Sequence, residues 1–249
     1  GGPGTGKTTI IKCIIEIFET CGLKVLLGAP TGRAAKRMSE STGKEATTIH
    51  RMLDMGVFEK EESVFVTNAE EHSLEADVVI IDEASMIDIT LMNALLKSIK
   101  VGTRLIIVGD VDQLPSVGAG NVLNDFIESG FTKVVRLKEI FRQGKESMIV
   151  VNAHKINKGE MPKLNEKGTD FFFIRNDIQE GILNTIIDLI NTRLPKFNSN
   201  WDKLKSIQVL VPMKKGVLGV TNLNERIQNV LNPKAPYKKE KEFRSMVFR

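Results

Sequence analysis

The first nine residues, Gly1-Gly2-Pro3-Gly4-Thr5-Gly6-Lys7-Thr8-Thr9, constrain this chain more than any other stretch. They fit G-x-x-x-x-G-K-[ST], with Gly1, Gly6, Lys7 and Thr8 at the fixed positions. Glycines at this spacing let the backbone curl until several N–H groups point inward, a cradle for phosphate oxygens. Lys7 adds a point charge for the β- and γ-phosphates of a nucleotide, and the Thr8 hydroxyl is placed to ligate Mg²⁺. Apolar side chains then recur at helical spacing (Ile10, Ile11, Ile14, Ile15, Ile17, Phe18). A helix starting under the cradle would favour negative charge there. A chance glycine turn before a helix would look the same over eight residues, so the reading requires the rest of a nucleotide site to follow. A phosphate loop is also fed by a strand. Here the chain starts at Gly1 with no Met, and the expectation is a chain cut within its own motif.

With 249 residues and 41% hydrophobic content, the chain can build one and a half to two domains. No apolar run approaches the ~20 residues that span a bilayer, so no membrane partner is expected. Cys13 and Cys21 suit reduced, packed thiols rather than a disulfide or metal framework, which points to a cytoplasmic setting. The net charge of +4 is uneven: residues 1–150 hold 17 Lys+Arg against 21 Asp+Glu, and residues 151–249 hold 18 against 10. The basic half suits a polyanion, although a solvated Lys-rich surface has the same composition.

Residues 23–28 (LKVLLG) predict a buried strand. Ala29-Pro30-Thr31-Gly32-Arg33 leads into a helix to about residue 41. Thr31 is its N-cap, and Arg33, Lys36 and Arg37 lie near its start, a place that suits a phosphate backbone. Residues 46–53 predict a short helix capped by Thr47 or Thr48. His50 has no second ligand at metal spacing and is expected in a structural or hydrogen-bonding role. Residues 54–76 turn acidic around Val64-Phe65-Val66 and predict a small inserted hairpin.

Residues 77–83 (DVVIIDE) predict a buried parallel strand ending in two carboxylates at the sheet's carboxyl edge. Asp82 is placed to hold Mg²⁺ through water or together with Thr8, and Glu83 to serve as general base for an attacking water. A strand running into an acidic helix cap would give the same letters. It would not explain their position 75 residues after the phosphate-loop lysine. A helix over 86–99 and a strand over 103–109 follow, then a polar loop. In that loop the Gln113 amide can bond both a γ-phosphate oxygen and a water. Beyond it come a helix over 121–129, a strand over 133–137 and a helix over 147–157, with Arg142 placed to reach a transferring phosphate. Residues 158–169 (KGEMPKLNEKGT) predict a linker. After it come strands at 171–174 and 207–211 and helices at 178–192 and 221–231. Strand, basic loop and helix at 207–231 repeat the layout of residues 23–41.

Taken in order, GGPGTGKTT, APTGRAAKR, TTIHRML, VVIIDEASM, GDVDQLPSVGAG and LKEIFRQ resemble helicase motifs I, Ia, Ib, II, III and IV. Together they resemble the RecD-type helicases of superfamily 1, ATP-driven 5′→3′ DNA translocases. VLVPMKKGVLGVTNLN and IQNVLNP resemble the start of that family's second motor domain. The resemblance implies an α/β P-loop NTPase fold with RecA-like parallel sheets flanked by helices. It implies a first motor domain over 1–157 lacking its first strand, a linker over 158–169, and the start of a second motor domain over 170–249. It implies ATP in the cleft, contacted by Gly1, Gly2, Pro3, Gly4, Thr5, Gly6, Lys7, Thr8 and Thr9. Thr8 and Asp82 would hold Mg²⁺, Glu83 would be the base, Gln113 would sense the γ-phosphate and Arg142 would be the finger. The implied partners are single-stranded and tailed duplex DNA, together with recombination or repair proteins. Pro30, Thr31, Arg33, Thr48, His50 and Arg51 fall where the family touches DNA, with Lys214, Lys215 and Gly216 similarly placed on the second domain. The 54–76 insertion falls where the family has its strand-splitting hairpin. The family's later motifs do not occur, so the chain by itself is expected not to work as a motor. Two alternatives stay open: a helicase-like domain of a conjugative relaxase, and a regulatory module that binds nucleotide without turnover.

Overall fold

The computed structural model describes residues 1–54, 73–139, 147–243 and 246–249. They form two compact units, Gly1–Phe172 and Phe173–Arg249. The first is built on a parallel sheet of β1 (Val25–Ala29), β2 (Ala46–Thr48), β3 (Val78–Ile81) and β4 (Arg104–Ile107), ordered β2-β1-β3-β4. The register aligns Gly28 with Ile81 and Ile81 with Ile107. The strands therefore end level, and the residues that follow them emerge along one edge.

Central strand β3 explains why VVII is an unbroken apolar run. Its side chains alternate between faces, and helices cover both faces. Val78 and Ile80 pack with Ile11, Ile15, Leu27 and Met38 on one side. Val79 and Ile81 pack with Ile87, Leu91, Leu95 and Leu123 on the other. All four β3 side chains are fully buried, each contributing about 1.5–3 kcal/mol.

Helix α1 (Lys7–Thr20) presents Ile11 and Ile15 to the core, one turn apart. Cys13 and Cys21, expected to be packed, are both exposed. Cys13 stands two residues from Ile11, which turns it to the outer side of the helix, and Cys21 lies in the closing turn. Helix α2 (Gly32–Thr42) starts at Thr31, whose hydroxyl accepts the Ala34 N–H at 3.2 Å. Helix α3 (Ile49–Met52) starts at Thr48, which accepts the Arg51 N–H at 3.1 Å. Residues 46–48, expected within that helix, instead pair with β1. Residues 86–88, expected in the next helix, stand outside it. The Asp88 carboxylate captures the Leu91 N–H at 2.8 Å and starts α4 (Ile89–Ser98) there, after a 3₁₀ turn over Ala84–Met86. Helices α5 (Val122–Glu128) and α6 (Met148–Asn157) complete the unit.

Residues 133–137, expected as a strand, join no sheet. Most of the expected hairpin insertion, residues 55–72, lies outside the described residues; Leu74 beyond it is core and bridges to Ile99. The second unit contains α7 (Gln179–Asp188) continuing through a π turn, α8 (Leu194–Phe197), α9 (Val220–Leu231) and a hairpin of β5 (Lys241–Phe243) and β6 (Met246–Phe248). Residues 171–174 and 207–211, expected as strands, form no ladder, and Phe173, Ile174 and Leu210 stay exposed. Apolar pattern selects which side chains would face a core, but a strand also needs a neighbour for its backbone groups. Among the described residues no helix is long and apolar enough to cross a membrane.

Candidate active site

Three loops meet at the carboxyl edge of the sheet. The first is the glycine-rich start of the chain. Gly6 takes the left-handed conformation (φ 81°, ψ 21°) and begins α1 with no side chain capping its first amides and no acidic residue in its first turn. The N-terminal donors of α1 are thus left to an outside acceptor, beside the positive end of the helix dipole. Thr5 is buried and folds its hydroxyl onto Gly2 O at 2.7 Å, which fixes the curl from inside. Lys7 bends back over the loop: its Nζ donates to Gly1 O at 2.6 Å and to Gly2 O at 3.0 Å.

The second loop follows β3. Asp82 and Glu83 sit side by side, and the Glu83 N–H donates to Asp82 Oδ1 at 2.8 Å. Burial raises the proton affinity of Asp82, against the opposing pull of that amide, Lys7 and Arg37. Glu83 is raised as well, first by burial and then by the adjacent Asp82 charge, with Lys7 and Arg37 opposing. Glu83 also holds a left-handed backbone (φ 53°), a rare state for a residue with a Cβ. Its Oε2 is buried without a hydrogen-bond partner.

The third loop follows β4. Asp110 is only 2% exposed, and its Oδ2 lies 3.8 Å from Lys7 Nζ. Its Oδ1 accepts the Asp112 N–H at 3.2 Å and its main-chain oxygen accepts the Gln113 N–H at 3.2 Å. Gln113 therefore sits in a turn fastened to Asp110, with its side chain exposed. A cavity of about 580 Å³ opens beside Gly1, Gly2, Lys7 and Asp110 and runs along β4.

Lys7, Asp82, Glu83 and Asp110 thus form one cluster. Thr8 is exposed on the first turn of α1, as are Pro3, Gly4 and Thr9 in or next to the loop. Among the described residues no three His, Cys, Asp or Glu side chains form a metal cage. A Mg²⁺ held mostly by phosphate and water needs only one or two protein oxygens, so a hydroxyl and a carboxylate fit that role. Asp110 is a site residue that the sequence reading did not assign, and Arg37, expected near a phosphate backbone, lies where its charge acts on Asp82 and Glu83. Asp110 lies three residues past the end of β4, whereas Asp82 directly follows β3, so no strand-end pattern marks it in the sequence. Arg142 lies outside the described residues.

The residues expected at DNA divide. Pro30, Thr31 and His50 line one pocket of about 200 Å³ with Met86, Asp88 and Ser116. Arg51 borders a different cavity, beside Lys44, Thr47 and Met52. Arg33 is exposed on α2, and Thr48 is engaged in capping α3. Lys214, Lys215 and Gly216 form an exposed turn in the second unit, where Gly216 takes φ 94°.

A family model described as an AAA domain matches residues 1–119. The ATP-dependent RecD2 DNA helicase of Deinococcus radiodurans is 36% identical over 233 residues, 94% of this chain and 30% of that protein. The chain is a homologue of the RecD-type helicases. The RecBCD enzyme subunit RecD of Mycolicibacterium smegmatis is 38% identical over 168 residues, covering 58% of this chain and 30% of the relative. This RecD-type chain thus spans about a third of the length of these curated relatives. The solved structure of Pif1 helicase from Candida albicans is 25% identical with a TM-score of 0.47, over 66% of this chain and 40% of that one.

Proposed function

We propose that this chain carries the nucleotide-hydrolysing site of an ATP-dependent DNA helicase that travels 5′→3′ on single-stranded DNA and opens duplex. The observation that carries this is the cluster of Lys7, Asp82, Glu83 and Asp110 beside an uncapped helix start, with one Glu83 oxygen buried and unpartnered. A helix start and a lysine suit a polyphosphate. A desolvated carboxylate suits removal of a proton from water.

In this reading the first-turn amides of α1 and the Lys7 ammonium bind the β- and γ-phosphates. Lys7 gives up the Gly1 and Gly2 oxygens to do so. Thr8 Oγ1 and Asp82 hold Mg²⁺, which when bound neutralises charge on the phosphate oxygens. Glu83 accepts the proton of the attacking water; its raised proton affinity makes it a better base than an exposed carboxylate. Gln113 orients that water, and Arg142 meets the charge on the transferring phosphate. Residues 1–157 and 170–249 serve as the first and second motor domains, joined by 158–169. The Pro30, Thr31 and His50 pocket takes the DNA backbone, with Arg33, Thr48, Arg51 and the Lys214, Lys215, Gly216 turn adding contacts. Recombination or repair proteins are the expected partners, in the cytoplasm.

The test is the ATPase rate of the full-length protein that carries this chain, with and without single-stranded DNA, beside Lys7→Ala, followed by unwinding of 5′- and 3′-tailed duplexes. DNA stimulation that Lys7→Ala abolishes, with unwinding only from 5′ tails, is the expected result. A DNA-independent rate would overturn the motor and favour a nucleotide-binding module.

A further inference from the structure

Helix α6 brings a residue to the phosphate loop that the mechanism above does not use. The His154 imidazole lies against Gly2: a Cβ built on Gly2 would stand 3.0 Å from His154 Cε1. Its Nε2 is buried with no hydrogen-bond partner. Among the described residues only Glu83 and Ser85, both on the loop after β3, share that state. An unpartnered buried polar atom costs stability, so it needs a reason to be there.

The rest of α6 holds the chain that follows it. Residues 158–170 fold back along the helix and are pinned at three points. Asn152, fully buried, receives the Lys163 N–H on its Oδ1 and donates its Nδ2 to Lys163 O, both at 2.8 Å. Asp170 closes the start of the helix, accepting the Ser147 hydroxyl at 2.5 Å and the Ile149 N–H at 3.2 Å. Lys155 meets Glu160 at 3.1 Å near the helix end. Two residues after Asp170 the first unit ends and the chain passes into the second.

We propose that His154 is a positioning residue that reads the phosphate loop, and that α6 passes the state of that loop to the 158–170 strap through Asn152. When the loop closes on phosphate, Gly2 moves against the imidazole, because Lys7 must release Gly1 O and Gly2 O to meet the ligand. The helix is one hydrogen-bonded segment from Met148 to Asn157, so a contact at His154 is felt half a turn away at Asn152. Contact with the closed loop steadies the helix at Asn152, and because both backbone groups of Lys163 are tied to Asn152, the strap opens there less often. This rests on the proposed nucleotide site, and the experiment separates the two.

The strap carries its own reporter. Lys158, Lys163 and Lys167 are exposed trypsin sites. Cleavage after Lys163 requires the carbonyl that Asn152 Nδ2 holds, so its rate tracks opening of that pair. In the full chain, saturation by a fluorescent ADP analogue is measured first, then trypsin cleavage after Lys163 with and without ADP. ADP is expected to slow that cleavage roughly fivefold or more in the unmodified protein. His154→Ala, and His154→Gln as a gentler second variant, should still bind the analogue but cleave at one rate with or without ADP. Asn152→Ala should cleave about tenfold faster in both conditions through loss of two hydrogen bonds, with nucleotide affinity unchanged. ADP protection that persists in both His154 variants would overturn the inference. Absence of analogue binding in the unmodified protein would overturn the nucleotide site itself.

Discussion

Replacing Glu83 with Gln is expected to make the protein more stable while removing its chemistry. The carboxylate pays for its position in two ways. Burial and the neighbouring Asp82 charge disfavour its ionised form, and the attraction of Lys7 and Arg37 does not cancel them, because the net shift is upward. One of its oxygens is also buried without a partner. A buried polar group left unsatisfied costs about 1–3 kcal/mol. Gln leaves a polar atom at that position, so what it recovers is the desolvated charge alone; with Glu83 only partly buried and two cations nearby, that is about 1 kcal/mol. The amide keeps the shape and removes the charge.

The sign follows from linkage. Below its ordinary value of 4.5, Glu83 is protonated in both folded and unfolded chains and costs nothing. As pH rises through the window above 4.5, the unfolded chain loses this proton first, so stability falls until the folded-state value is passed. The gain from Glu83→Gln is therefore greater at pH 7 than below 4.5. For a unit of this size about 1 kcal/mol corresponds to a rise of roughly 2–4 °C in Tm. Loss of the proposed general base should lower the ATPase rate by about 10²–10⁴, with affinity for an ADP analogue retained. The assays are thermal melts at pH 7 and pH 4 and steady-state hydrolysis. A lower Tm at pH 7, or a gain equal at both pH values, would refute the account of burial. Glu83→Gly separates charge from backbone strain. It removes the charge as Gln does and also relieves the φ of 53°, against about 0.4–1 kcal/mol of added unfolded-chain entropy, so its Tm compared with that of Glu83→Gln reads the strain.

Other consequences can be measured alongside. Lys7→Ala should abolish detectable binding of the ADP analogue in a fluorescence titration and also lower Tm, because Asp110, 2% exposed, loses the cation 3.8 Å from its carboxylate. Ile80→Ala, at a fully buried position in the central strand, should cost about 2–5 kcal/mol in urea unfolding. Thr31→Ala should lose about 1 kcal/mol from the missing α2 cap, and Thr31→Ser should restore most of it. DNA affinity should fall steeply between low and physiological salt, with log K linear in log salt, because backbone phosphates dominate the contact.

The phosphate loop, the carboxylate pair and the central strands were legible because each rests on short-range rules. Gly6 is required by a positive φ, VVII by burial on both faces, and Asp82 and Glu83 by the strand end. What the sequence did not reveal depends on partners far along the chain. Residues 46–48 look like the lead into a helix until β1 is known to lie beside them. Cys13 belongs to an apolar-looking helix, but only the Ile11 and Ile15 side meets the sheet. Asp110 needed the register of β4 against β3 to stand beside Lys7. His154 is 152 residues from Gly2 in sequence, and no local pattern joins them.

The same edge also bears on how hydrolysis and DNA binding would be linked in the proposed motor. Glu83 and Met86 flank one 3₁₀ turn, with Glu83 in the carboxylate cluster and Met86 in the wall of the pocket that holds Pro30, Thr31 and His50. Gln113 and Ser116 stand in the same relation on the loop after β4. The loops after β3 and β4 therefore each continue, within three residues of a catalytic candidate, into the pocket proposed for the DNA backbone. The turn is short and buried at Ala84 and Ser85, and the Ala84 N–H is tied to Val108 O at 3.0 Å. It has little room to deform between its ends, so a shift of Glu83 on nucleotide binding would carry to Met86 largely undamped. Coupling in this arrangement needs no long pathway, because the loops after β3 and β4 reach both sites.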